Sequence, residues 1–471
     1  MIHGAAAAIV VAALWPRAAW AHAFAQRYDL PLPLWHYLAG AGAAVALSFV
    51  ATSRIRVHGQ LERSVPIAVV PRALVRPLRA LARGIGVAAL VLLVAVGLLA
   101  DQGDWDSNLL PVAVWVLWWV GLTLATMLLG PVWRLVDPWQ AIAAHAIGRR
   151  AARRPGRLAR AGCWPAVALF LCFTFAELVW TENAVPWKLA TAVIAWSVLA
   201  LAGMARWGRA AWRRHCDPFD RFFGLVARVS PLAWQETAGG MALRLRWPGA
   251  GLLNAGRAAT PSQVAFILVM IATVSFDGLS ETPLWEAVTG EALALLYGAG
   301  VVARWGYGAA GALIKSTGLL AVPLGFAALY LLACVGTARI GREASGTAAR
   351  RFALSLVPIA VAYHLAHYLS YVLVQGQAAL PLLSDPFALG WDLFGTRGRE
   401  IDIGVIDMRT VWLVAVLAIV AGHVVAVVLA HAEASRAYGE RAQASQIPML
   451  VLMVGYTMLS LWILAQPIVN L

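Results

Sequence analysis

Charge is scarce in this chain. Only 13% of its 471 residues are Asp, Glu, Lys or Arg, where a soluble domain carries about 25%, and the shortage excludes an ordinary soluble protein. Lysine occurs only at positions 188 and 315, so the basic residues are almost all arginine. The four cysteines, Cys163, Cys172, Cys216 and Cys334, show no CxxC spacing. None is expected in an oxidising loop, which argues against a disulfide framework or a structural zinc site. A glycine-rich nucleotide loop, a GxSxG elbow and an HExxH helix are all missing from the sequence. ATP-driven transport by this chain alone is therefore not expected.

What is abundant is apolar surface: 61% of residues are hydrophobic and 22 are Trp. The apolar residues fall in uncharged runs of about 17–24, enough to cross roughly 30 Å of hydrocarbon. Many Trp stand at the ends of these runs, where indole favours the headgroup region. The pattern predicts an all-α, polytopic transmembrane helical bundle of about ten spans, at 34–52, 85–101, 111–130, 164–181, 187–205, 262–280, 316–338, 353–375, 409–431 and 448–467. Residues 1–21 read as a signal peptide, with the apolar run Ala5–Leu14 and then Ala19-Trp20-Ala21, although no Lys or Arg precedes the run. Residues 22–471 read as a single transmembrane domain.

The net charge of +14 is set by arginines in alternate loops. Arg54 to Arg83, Arg134 to Arg160, Arg206 to Arg257, Arg339 to Arg351, and Arg436 with Arg441 fall on one side. The acidic loops Asp101–Asn108, Glu182, Glu281–Glu291 and Asp385–Asp407 fall on the other. Under the positive-inside rule the arginines are cytoplasmic and the N-terminus is periplasmic in a bacterial inner membrane. No aromatic-basic reading surface accompanies the charge, so nucleic acid is not an expected partner. The bilayer is, as is a second membrane subunit or a second copy. Residues 286–315 must enter and leave on one side, as an amphipathic helical hairpin or a re-entrant segment.

Asp-Pro-aromatic recurs at Asp137-Pro138-Trp139, Asp217-Pro218-Phe219 and Asp385-Pro386-Phe387. Asp suits an N-cap and Pro the first helical position, so each is expected to start an amphipathic helix along the membrane surface.

Ionisable groups inside spans are costly and mark candidate sites. His364 and His367, three apart in Tyr363-His-Leu-Ala-His-Tyr368, share a helix face. His423 follows in the next span at a depth within roughly 10 Å of both. Three such imidazoles suit a divalent metal such as zinc or copper, a haem, or a proton relay, and each could instead be a packing residue. Gly422 would let a neighbouring helix approach. Glu177 and Asp277 lie near the outer ends of their spans, as candidate general base or further ligand. His36 lies on the same side. Cleavage before His22 would leave an amine and an imidazole able to chelate one metal.

The segments His22–Trp35, Ser275–Trp285, His364–Tyr371, Ser384–Phe394 and Gly422–His431 resemble the fenitrothion hydrolase family of bacterial membrane proteins. The resemblance implies an integral-membrane hydrolase of organophosphate triesters and assigns no catalytic residues. A metal would polarise such an ester and activate water, with His364, His367 and His423 as ligands. The alternative is a non-enzymatic membrane protein that binds or moves a metal, haem or protons through the same histidines.

Overall fold

The computed structural model describes residues 28–54, 61–103, 106–147, 156–253 and 258–469. The expected signal peptide and His22 lie outside these residues. Nine helices among them are long and apolar enough to cross a membrane: α1 (Leu34–Ser53), α2 (Arg72–Leu99), α3 (Leu109–Leu129), α6 (Pro186–Trp207), α8 (Pro261–Ser280), α10 (Val301–Gly341), α11 (Val357–Gln375), α12 (Met408–Tyr438) and α13 (Ile447–Ile468). A tenth apolar helix, α5 (Trp164–Leu178), is shorter. Three further helices, α4 (Pro138–Ala146), α7 (Pro218–Val229) and α9 (Pro283–Gly298), complete an all-α bundle. Spans α8 and α11 are its most enclosed members, and they carry Asp277, His364 and His367.

The bundle closes where side chains are small. A Cβ on Gly422 of α12 would lie 2.3 Å from the Ala362 Cβ and 2.9 Å from the Pro358 carbonyl oxygen of α11. Only glycine lets these two helices touch there, as the sequence suggests. The segment 286–315 is a helical hairpin: α9 ends at Gly298, Gly300 turns the chain with φ 75°, and α10 begins. Gly306, with φ 81° and ψ 166°, then breaks α10. The crossing helix starts after the break.

Two of the three Asp-Pro sequences cap helices. Asp137 accepts from the Gln140 amide at 3.1 Å, and Asp217 accepts from the Phe219 and Asp220 amides at 3.0 Å each. Asp385 does not start a helix. Its carboxylate accepts from the Leu389 and Gly390 amides at 2.8 Å and pairs with Arg397 at 3.3 Å. The positive φ values of Ala388 and Gly390 keep this segment a turn. Nor does α7 lie along a surface. Phe219, Phe222, Phe223 and Val226 are buried, so α7 plugs the arginine-rich end of the bundle.

A small sheet, not anticipated from the sequence, joins that end. Strands β1 (Ser64–Pro71), β2 (Leu232–Thr237) and β3 (Gly240–Arg246) pair antiparallel in the order β1-β3-β2. Ala238-Gly239 forms the two-residue turn between β2 and β3, and Gly240, with φ 143°, opens β3.

The tryptophans divide into two populations. Trp35, Trp164, Trp187, Trp247 and Trp305 are exposed near element ends, as headgroup anchors would be. Others form an interior file: Trp119, Trp118, Trp133, Trp139, Trp196, Trp212 and Trp207 follow one another at ring separations of 5.7–6.4 Å. Interior packing, which run-end placement does not reveal, accounts for these.

Candidate functional site

Four spans bring their polar residues together near the end of the bundle opposite the sheet. Asp277 sits in the last turns of α8, and its neighbour α11 presents His367 and Tyr368. The His367 Nε2 lies 2.9 Å from the Asp277 Oδ2, and the Tyr368 hydroxyl donates to the same oxygen at 2.5 Å. Glu177, near the end of α5, reaches Tyr368 from the other side, with its Oε1 3.4 Å from the hydroxyl. The Trp119 indole nitrogen donates to that Oε1 at 2.5 Å. A phenol has one hydrogen to give, so Tyr368 bonds to Asp277 while remaining within reach of Glu177.

Trp119 is placed by a local departure from α-helix. Residues Val112–Gly121 of α3 are wound as π-helix, a rare form that is frequent at functional sites and shifts the facing of later side chains. Nothing in Val-Trp-Val-Leu-Trp-Trp announces that winding. Lys315 of α10 stands beside the cluster, its Nζ 3.5 Å from the Leu178 carbonyl oxygen and close enough to attract the Asp277 carboxylate. Tyr368, Trp119 and Lys315 are the site residues that sequence reasoning passed over. Tyr368 was visible within the histidine motif, four residues on from His364 and so on its face.

His364 occupies a different wall. Its ring packs against Tyr368 at 4.7 Å, Trp119 at 5.7 Å and Phe222 of α7 at 6.2 Å between centroids. Its Nε2 is buried without a hydrogen-bond partner among the described residues. It faces a narrow cavity lined by Trp119, Phe170, Glu177, Phe222 and Tyr368, with room for about one water.

The three-histidine cluster is not assembled. His423 packs its ring on Tyr456 of α13, and its Nδ1 lies 2.8 Å from the Ile419 carbonyl oxygen. On α11, Pro358 and Ala362 face Gly422, whereas His364 follows Ala362 by two residues, about 200° around the helix. The two histidines lie on different azimuths, against different neighbours. Among the described residues no three His, Cys, Asp or Glu side chains converge as a metal ion would need. His364, His367 and His423 therefore do not fit a shared zinc or copper ion. His36 is exposed and stacked on Trp35.

Asp277 and Glu177 do face the interior, within one hydrogen-bonded chain that includes His367. At the opposite end lies a second acidic group outside the spans. Burial, and then the neighbouring Asp137 carboxylate, raises the Asp217 carboxyl above the usual range, and burial raises Asp137 likewise. Asp220 in that group is held by Arg134 at 3.0 Å.

No family model, curated protein or solved structure matches the chain.

Proposed function

We propose that this chain is a bacterial inner-membrane protein, with its N-terminus periplasmic, that takes up and passes protons through a buried carboxylate–tyrosine–histidine relay opening toward the periplasm. One observation carries the reading: the Tyr368 hydroxyl stands between Glu177 and Asp277, and Asp277 holds His367. Each neighbouring pair can exchange a proton across a hydrogen bond. A proton on Glu177 passes to the Tyr368 oxygen as the phenol gives its own hydrogen to Asp277. Asp277 then donates to His367, and the phenol hydrogen, which now points at Glu177, turns back toward Asp277. Atoms and charge balance at every transfer, and no metal is required. The alternation of arginine and acidic loops supports the orientation. The small cavity supports a cargo of proton or water size.

The test is proton flux into proteoliposomes under a potassium diffusion potential, followed with an entrapped pH dye. The intact protein should acidify the lumen faster than protein-free vesicles, and Glu177→Gln, Asp277→Asn or Tyr368→Phe should bring the rate down to the protein-free level. Flux equal to empty vesicles from the intact protein would sink the reading.

The hydrolase reading keeps one observation in its favour. A histidine oriented by a carboxylate is how a general base is held for water activation, and His367 with Asp277 has that form. Under it, a phosphotriester with a coloured phenol leaving group should be hydrolysed by the intact protein and not by His367→Gln. The cavity would have to open before such an ester could reach the pair.

A further inference from the structure

The sheet at the arginine-rich end is exposed along β1 on both faces, and one of the two faces is mainly apolar. Residues directly opposite in antiparallel strands share a face, so the register Val65↔Leu245, Val70↔Met241 and Trp234↔Leu243 puts these six side chains on one side. Arg244, Arg246 and Gln235 lie on the other. The apolar face is open: Val65 is 62% exposed, Leu245 48% and Trp234 41%. Two residues of this face reach the ends of spanning helices. The Trp234 indole donates to the carbonyl of Leu129, the last residue of α3, at 3.2 Å, and Glu236 pairs with Arg79 of α2 at 2.8 Å. That face is therefore turned toward the layer the spans cross.

Its level follows from α2, which begins at the residue after β1 ends. At 1.5 Å per residue its 28 residues measure about 42 Å, against roughly 30 Å of hydrocarbon. The helix exceeds that layer by about eight residues' length; at the end where β1 leads into it the excess corresponds to Arg72 to Arg79, and the long side chain of Arg83, about 6 Å further on, reaches back to the same level. From this stretch onward Leu74, Leu78, Leu81 and Ile85 form an exposed apolar stripe at helical spacing, while Arg72, Arg76 and Arg83 project exposed from the opposite side of the helix, about 200° around it.

We infer that the β1–β3–β2 sheet and the first turns of α2 form a single platform that lies on the bilayer with its apolar face down and gathers anionic phospholipid headgroups around Arg72, Arg76 and Arg83. The apolar face supplies area buried at the acyl boundary, and the guanidinium groups supply bidentate bonds to phosphate. Both halves are needed. Arginine alone would hold a headgroup loosely, and the apolar face alone would not discriminate between lipids.

Two measurements on the full chain in nanodiscs of mixed phosphatidylglycerol and phosphatidylcholine test this. First, lipids retained after extraction should be enriched in phosphatidylglycerol, and the enrichment should fall by roughly fivefold for each of Arg72→Gln, Arg76→Gln and Arg83→Gln. Second, a nitroxide is placed by Val65→Cys or by Val69→Cys, with the exposed Cys172 removed as Cys172→Ser. Val69 pairs with Ala242 on the opposite face. The probe at 65 should collide with oxygen and be shielded from a water-soluble nickel complex, and the probe at 69 should do the reverse. Equal nickel access at both positions would overturn the platform. Shielding at 65 accompanied by spin–spin broadening would overturn it in favour of a second copy, and enrichment unaffected by the arginine substitutions would overturn the anionic-lipid assignment.

Discussion

Tyr368 is the residue on which the site turns, because among the described residues it alone lies within hydrogen-bond distance of both carboxylates in the cluster. In Tyr368→Phe the ring still packs against His364 and His367, while Asp277 keeps its bond to His367. The loss of one buried hydrogen bond should cost about 1–3 kcal/mol of stability and leave insertion intact, whereas proton flux should vanish. Retained flux would mean the chain runs through other groups. Asp217 offers a separate residue-scale test. Its carboxyl is raised in the folded protein, so the folded state holds a proton that the unfolded chain releases near pH 4. Stability should then fall as pH rises from about 4 toward the raised value, and level off above it. Asparagine caps helices as well as aspartate does. Asp217→Asn should therefore keep α7 and flatten the pH dependence of the unfolding midpoint in detergent, and an unchanged slope would contradict the assignment.

At the scale of elements, the approach of α12 to α11 at Gly422 has no spare room. Gly422→Leu should separate the two helices, at a cost of about 1–3 kcal/mol from overpacking, read as a lowered unfolding midpoint. Gly306 has a different role: its positive φ makes the break that separates the α9–α10 hairpin from the crossing part of α10. Gly306→Ala should cost about 1–2 kcal/mol through left-handed strain alone, because a Cβ there meets open space and the surrounding packing is undisturbed. The spans were legible in the sequence because a run of apolar residues of fixed length has few alternatives. Their rotation about their own axes was not. His364 and His423 point to different neighbours, and only packing, through Gly422, Ala362 and Tyr456, settles that. The sheet escaped notice although its signs were present: β-branched residues from Val65 to Val70, and a hairpin turn before alternating Leu and Arg. Asp385 shows the limit of capping arguments, since the same dipeptide that starts α4 and α7 closes a turn when Ala388 and Gly390 leave the helical region.

For the whole molecule, the placement of every loop depends on one orientation. A reporter fused after Arg160 or Arg351 should read as cytoplasmic and one within 395–400 as periplasmic. Labelling of the arginine loop from 54 to 83 from outside the cell would invert the protein, turn the Glu177–Tyr368–Asp277 chain to the cytoplasm, and remove the periplasmic opening from the proposed function. Glu177 and Asp277 lie at one end, while Asp137, Asp217 and Asp220 lie among the arginines at the other, where Arg134 holds Asp220.

The interior file of indoles has an optical consequence. Trp207 through Trp119 stand ring to ring from the arginine-rich end to the polar cluster, so light absorbed by any of them can migrate along the file before it is emitted. Its last member, Trp119, is bonded to Glu177 and lies edge-on to His364. The colour and yield of the emission from all seven rings are thereby tied to the charge on two side chains at one end, and a change of protonation there should appear in the ultraviolet fluorescence of the unlabelled protein.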